Sequence, residues 1–134
     1  MHKFLFTVII VLFVAPLQAI AGPEGTYTVE GTDPGSGNVY TGTVTVERNG
    51  ETYAVLWNVG GTEYLGTGLG AADVKGVPTM GPASERDTAI SISYITDGSF
   101  GLTFYVEQPN GQWRGIWTYA GSDRIGSEIW TPTN

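Results

Sequence analysis

Tyr53-Ala54-Val55-Leu56-Trp57-Asn58-Val59-Gly60-Gly61-Thr62-Glu63-Tyr64-Leu65-Gly66-Thr67-Gly68 is the stretch whose reading decides the fold. Its residues change character with a period of two, so Tyr53, Val55, Trp57 and Val59 share one face of a strand and Ala54, Leu56 and Asn58 the other. Gly60-Gly61 accepts the positive φ of a tight primed turn, which makes the stretch a hairpin. Across that turn Tyr64, Gly66 and Gly68 share a face, so rings on the first strand can lie over bare backbone on the second.

Outward from this hairpin the same punctuation recurs. Asp33-Pro34-Gly35-Ser36-Gly37, Asn49-Gly50, Asp97-Gly98, Pro109-Asn110-Gly111 and Ala120-Gly121-Ser122-Asp123 separate further alternating runs. Strands are predicted near 25–31, 39–48, 52–59, 62–70, 88–96, 99–108, 112–119 and 124–131. One long connection, 71–87, joins the two sets of four. The halves 22–70 and 88–134 also resemble each other at an offset of 60 residues: Thr43 matches Thr103, Glu47 matches Glu107, Trp57 matches Trp117 and Gly66 matches Gly126. Duplication of a four-strand meander and generic hairpin composition both account for this. Eight sequential antiparallel strands favour an all-β up-and-down meander closed into a small barrel of avidin or lipocalin architecture, because closure removes both exposed edges. A two-sheet sandwich is the competing architecture.

The chain has 134 residues, and its start reads as a targeting segment. Met1, His2 and Lys3 precede an apolar run from Phe4 to Val14, and Ala19-Ile20-Ala21 supplies small residues at cleavage positions, so residues 1–21 are expected to be a secretory signal peptide. A run this short does not suit a transmembrane anchor. Residues 22–134 then form one domain with no Cys, no His and a net charge of −8, since Lys3 is the only one of the 6 bases in the leader and all 13 acids follow it. Export implies a periplasmic or secreted protein. The acidic balance disfavours nucleic acid and anionic membrane surfaces, which select basic patches.

Without Cys or His, no Ser-His-Asp or Cys-His nucleophile and no zinc site of the usual kind can be assembled in the mature domain. Gly66-Thr67-Gly68-Leu69-Gly70 lies in a strand with no following helix and is not a phosphate loop. Glu63 with Glu128 and Glu47 with Glu107 are the carboxylate pairs a hydrolase would use, but solvated charge beside turns explains Glu47 and Glu107 better. The chain therefore reads as non-enzymatic and cofactor-free. Asp33, Asp73, Asp97 and Asp123 read as turn formers rather than calcium ligands. Arg114 falls on the face opposite Trp113 and Trp117 and is expected outside. Tyr53, Trp57, Trp113, Trp117 and Tyr119 remain: they serve either as a barrel core poor in Leu and Phe or as the lining of a cavity for a small hydrophobic or sugar-like ligand.

Gly25-Thr26-Tyr27-Thr28-Val29-Glu30-Gly31-Thr32-Asp33-Pro34, Tyr40-Thr41-Gly42, Trp57-Asn58-Val59-Gly60-Gly61, Gly115-Ile116-Trp117-Thr118-Tyr119-Ala120-Gly121 and Gly126-Ser127-Glu128-Ile129-Trp130 carry a resemblance to a known group. The chain resembles small exported proteobacterial proteins, of the kind found in rhizobia, commonly labelled fibronectin-binding proteins. That resemblance covers nearly all of residues 22–134 and implies adhesion to a host extracellular-matrix protein such as fibronectin; it carries no catalytic residues. A small-ligand carrier and a structural envelope protein are the alternatives.

Overall fold

The computed structural model describes residues 22–133, so the expected signal peptide lies outside the described residues. These residues form nine strands: β1 (Gly25–Thr32), β2 (Val39–Asn49), β3 (Thr52–Val59), β4 (Thr62–Val74), β5 (Val77–Gly81), β6 (Asp87–Thr96), β7 (Ser99–Glu107), β8 (Trp113–Tyr119) and β9 (Gly126–Pro132). All pairings are antiparallel, and eight strands close in the ring β1-β2-β3-β4-β6-β7-β8-β9, with β9 returning to β1. The expected barrel is the observed one, and the sandwich is set aside. The strands matched by the 60-residue offset, β2 with β7, β3 with β8 and β4 with β9, stand on opposite sides of the ring.

What lets this wall curl so tightly is a pairing of rings with glycines. Tyr40 faces Gly31, Tyr94 faces Gly101, Tyr105 faces Gly115 and Trp117 faces Gly126 on the neighbouring strand. In each pair the ring occupies the space a Cβ would need: a Cβ on Gly101 would come within 2.2 Å of the Tyr94 ring, and one on Gly115 within 2.2 Å of Tyr105. An aromatic set over the bare backbone of the next strand fills a small barrel without Leu or Phe. The core is Tyr27, Val29, Val44, Val46, Tyr53, Val55, Trp57, Ile90, Ile92, Tyr94, Tyr105, Trp113 and Trp130, with Ala83 at one end.

The long connection expected over 71–87 is mostly strand. Residues to Val74 extend β4, and β5 pairs back onto it from Val74↔Val77 to Gly70↔Gly81. It takes the edge of β4 that lies beyond the last β3 partner, Tyr53↔Gly68. The turn between them places Lys75 at φ 54 and Gly76 at φ 82, the two positive values of a primed turn, and the Gly76 amide donates to Asp73 Oδ1 at 2.6 Å. Alternation could not reveal this hairpin because every β5 residue is exposed, leaving no inner face to write a pattern. Only 82–86 remain irregular, and they plug the barrel: Ala83 is buried and its amide donates to the Glu51 carbonyl.

Candidate functional site

The two ends of the barrel differ. At the end closed by 22–24 and 82–86, Tyr53 Oη donates to Asp87 Oδ2 at 2.5 Å, the Ser84 amide donates to the same oxygen at 3.0 Å, and Tyr27 Oη donates to the Pro23 carbonyl at 2.8 Å. Burial, followed by the Asp87 hydrogen bond, pushes the Tyr53 hydroxyl well above its ordinary value. This end is a satisfied polar plug.

The other end opens. Between the β1–β2 loop and the starts of β4 and β9 lies a cavity of about 310 Å³, within the usual size of small-molecule sites, though at its low end. Tyr40, Trp57, Tyr64, Tyr94 and Trp117 form its walls, Asp33, Ser36, Asn38 and Val39 its rim, and Thr103 and Glu128, both buried, its floor. The rings touch in series: Trp57 lies 6.0 Å from Tyr94, Tyr94 6.2 Å from Tyr64 and 6.3 Å from Trp117, and Trp117 6.1 Å from Tyr40, mostly edge to face. These are favourable aromatic separations. Asp33 shapes the rim by accepting from the Gly35 and Ser36 amides at 2.8 and 2.9 Å. The Ser36 amide is the main cause holding its carboxyl below the usual range. Turn formation, the role expected of Asp33 and Asp73, is therefore what their oxygens do.

Glu128 is buried at 7% exposure with its carboxylate inside the barrel. A charge taken out of water is tolerated only where donors replace the lost hydration. Tyr105 Oη and Trp130 Nε1 donate to Oε2 at 2.6 and 2.8 Å, Trp57 Nε1 donates to the same oxygen at 3.3 Å, and Tyr40 Oη donates to Oε1 at 2.6 Å. Burial and then the adjacent carboxylate push the Tyr40 and Tyr105 hydroxyls well up, and burial, with Glu128 second, pushes Tyr94 to about 12. The load on the carboxylate is uneven, with three donors on Oε2 and one on Oε1. Beside it, the buried Trp117 Nε1 has no hydrogen-bond partner and lies over Gly126.

The five expected binding residues are thus divided. Trp57 and Trp117 line the cavity, Tyr119 packs on Trp117 at 6.2 Å without lining it, and Tyr53 and Trp113 belong to the filled part of the barrel. The carboxylate pair Glu63 and Glu128 is not brought together, because Glu63 points outward from β4 while Glu128 points inward from β9. Arg114 is exposed on the outer wall, as its alternation predicts. Tyr40, Tyr64, Tyr94 and the role of Glu128 were missed. Their signal was present in alternation, since each falls in step with inward neighbours such as Val44, Gly68, Ile92 and Trp130. No protein-family model and no curated protein matches this chain.

Proposed function

We propose that this protein is a non-enzymatic binding protein that takes one small ligand into the open end of its barrel. The carrying observation is Glu128 Oε1, a buried acceptor with one donor, on the floor of an aromatic mouth. A ligand suited to it has a flat or apolar body to lie against Trp57, Tyr64 and Trp117 and a hydroxyl or amine to donate to Oε1. Sugars and small aromatic alcohols or amines meet this description. The test is titration of tryptophan fluorescence with tyramine, benzyl alcohol and methyl glucoside, alongside native mass spectrometry of protein recovered from its producing cells. Saturable quenching at one site per chain is expected, weakened about tenfold, or about 1.4 kcal/mol, by Tyr64→Ala at unchanged urea midpoint. Absence of quenching by all three probes, together with a ligand-free native mass spectrum, rejects the reading.

A second reading is favoured by the β4–β5 hairpin, which carries Val74, Val77 and Met80 exposed at 51%, 61% and 84%. Apolar side chains on a projecting hairpin suit capture of a macromolecule such as a host matrix protein, the activity that resemblance to the exported fibronectin-binding proteins implies. Loss of binding to immobilised fibronectin on shortening the hairpin supports it. Wild-type protein that does not bind fibronectin rejects it.

A further inference from the structure

Leucine and phenylalanine are missing from the core and present on the outside. Every Leu and Phe after residue 21 is exposed, from 37% at Leu56 to 63% at Phe100. The registers gather them on one wall. On β7 all four outward residues between Phe100 and Val106 are apolar: Phe100, Leu102, Phe104 and Val106. On β4, Leu65 and Leu69 stand in the rows of Ile95–Phe100 and Ser91–Phe104, and Ile116 of β8 continues the second row. Between these two ridges the outward residues of β6 are Ala89, Ser91 and Ser93, small enough to leave a furrow, and the exposed Ile95 closes that furrow at the end nearer the mouth.

The opposite wall has different chemistry. Outward positions of β1 and β2 are threonines with Glu30 and Glu47, apart from the exposed Val39 at the mouth and Asn49 at the turn. An apolar band around a whole barrel would suit a bilayer, whereas here one side is apolar and the other is threonine with acids. On the outward rows of β6, β7 and β8 the single charged side chain is Arg114, and on β4 Glu63 stands beyond Leu65 at the end of the ridge, so the acids lie at the margin of this wall rather than within it. At on the order of 200 Å² for a large apolar side chain fully exposed, the exposed fractions on this wall amount to roughly 900 Å², against about 800 Å² per partner in a standard interface. Monomers seldom present apolar patches above a few hundred Å².

We propose that this wall is the interface of a two-fold homodimer in which the β7 ridge of one copy seats in the β6 furrow of its partner. Ridge and furrow lie side by side on one surface, which is the self-complementarity a two-fold contact requires. Ligand mouths and β4–β5 hairpins stay free in that arrangement, so the dimer stands independently of the ligand reading. The test is light scattering and sedimentation of the purified protein at about 100 µM, above the micromolar upper end of dissociation constants for interfaces of this size. The expected mass is two chains. Phe104→Asp is expected to reduce it to one chain with an unchanged circular dichroism spectrum, and Thr43→Asp on the opposite wall to leave it at two. Should Phe104→Asp not fold, Leu102→Lys serves the same purpose. A wild-type mass of one chain overturns the proposal, and flotation of that monomer with lipid vesicles or its capture by another protein reassigns the wall to that partner. A dimer that survives a folded Phe104→Asp or Leu102→Lys also overturns it.

Discussion

Glu128 joins structure and proposed function at the residue scale. Its carboxylate accepts from two tyrosines and two tryptophans, so it organises the rings that wall the mouth as well as offering an acceptor to a ligand. Glu128→Gln keeps the shape but turns an amide donor toward groups that are already donors. Each buried donor left unmatched costs about 1–3 kcal/mol, so the variant is expected to lose about 2 kcal/mol or more in urea unfolding. Tyr105→Phe removes one hydrogen bond to the same charge and is expected to cost about 1.5–3 kcal/mol. Equal midpoints for wild type and both variants would show that the cluster contributes nothing to the fold. Trp57→Ala empties a site that is only 4% exposed and is expected to cost about 3–5 kcal/mol. Trp117 borders the opening, so Trp117→Ala leaves less of a closed void and should cost less than Trp57→Ala.

At the scale of elements, the unit that repeats is a ring on one strand over a glycine on the next. Gly101→Ala places a methyl where Tyr94 lies, at 2.2 Å from its ring, and Tyr94 cannot withdraw without disturbing Trp57 and Trp117. A loss of about 1–3 kcal/mol is expected from this overpacking, whereas Gly98→Ala at the β6–β7 turn meets no neighbour and pays only for its positive φ. The β4–β5 hairpin behaves oppositely. Replacing residues 72–79 by Asn-Gly between Ala71 and Met80, which already pair, should leave the β spectrum intact and shift the urea midpoint little, since no β5 side chain is buried. Extending the excision through Ser84 should destabilise strongly, because Ala83 and the Ser84 amide close the barrel end. Equal midpoints for the two deletions would refute that division. These elements also mark how far the sequence could be read. Alternation and glycine turns predict the barrel strands within about two residues, because each has an inner and an outer face, except that β4 runs four residues past its predicted end at 70. They miss β5, which has none. Alternation assigns Tyr53 and Trp57 to the same face but says nothing of height along the barrel, so it could not tell the plugged end from the open one. Nor does it reveal that the Leu-rich and Phe-rich outer rows coincide on one wall, which depends on register between β4, β6, β7 and β8.

Over the whole molecule, acids and aromatics set how stability responds to pH. Residues 22–134 carry −8, the buried carboxylates are Asp87 and Glu128, and tyrosines do much of the donating to them. Burial first, and the facing carboxylates second or third, hold the hydroxyls of Tyr40, Tyr53 and Tyr105 far above the ordinary 10.0. Burial also raises Tyr27 and Tyr94 to about 12, with Glu107 and Glu128 adding to it. A hydroxyl whose folded value exceeds its unfolded one stays neutral in the fold and ionises first in the unfolded chain. Its contribution to stability is therefore whole below about pH 10 and is lost as pH rises through the folded value. Five such groups act in the same direction. The urea midpoint is expected to show no loss from tyrosine ionisation up to about pH 9.5 and to fall steeply between pH 10 and about 12. Tyrosinate absorbance from these five should appear together with unfolding rather than before it. Tyr94→Phe removes one of the titrating groups while keeping the ring over Gly101, and should flatten the alkaline slope without abolishing it. A midpoint that stays level to pH 12, or full tyrosinate absorbance in a protein that is still folded at pH 11, would mean that these hydroxyls are open to water and that the closed aromatic interior is wrong.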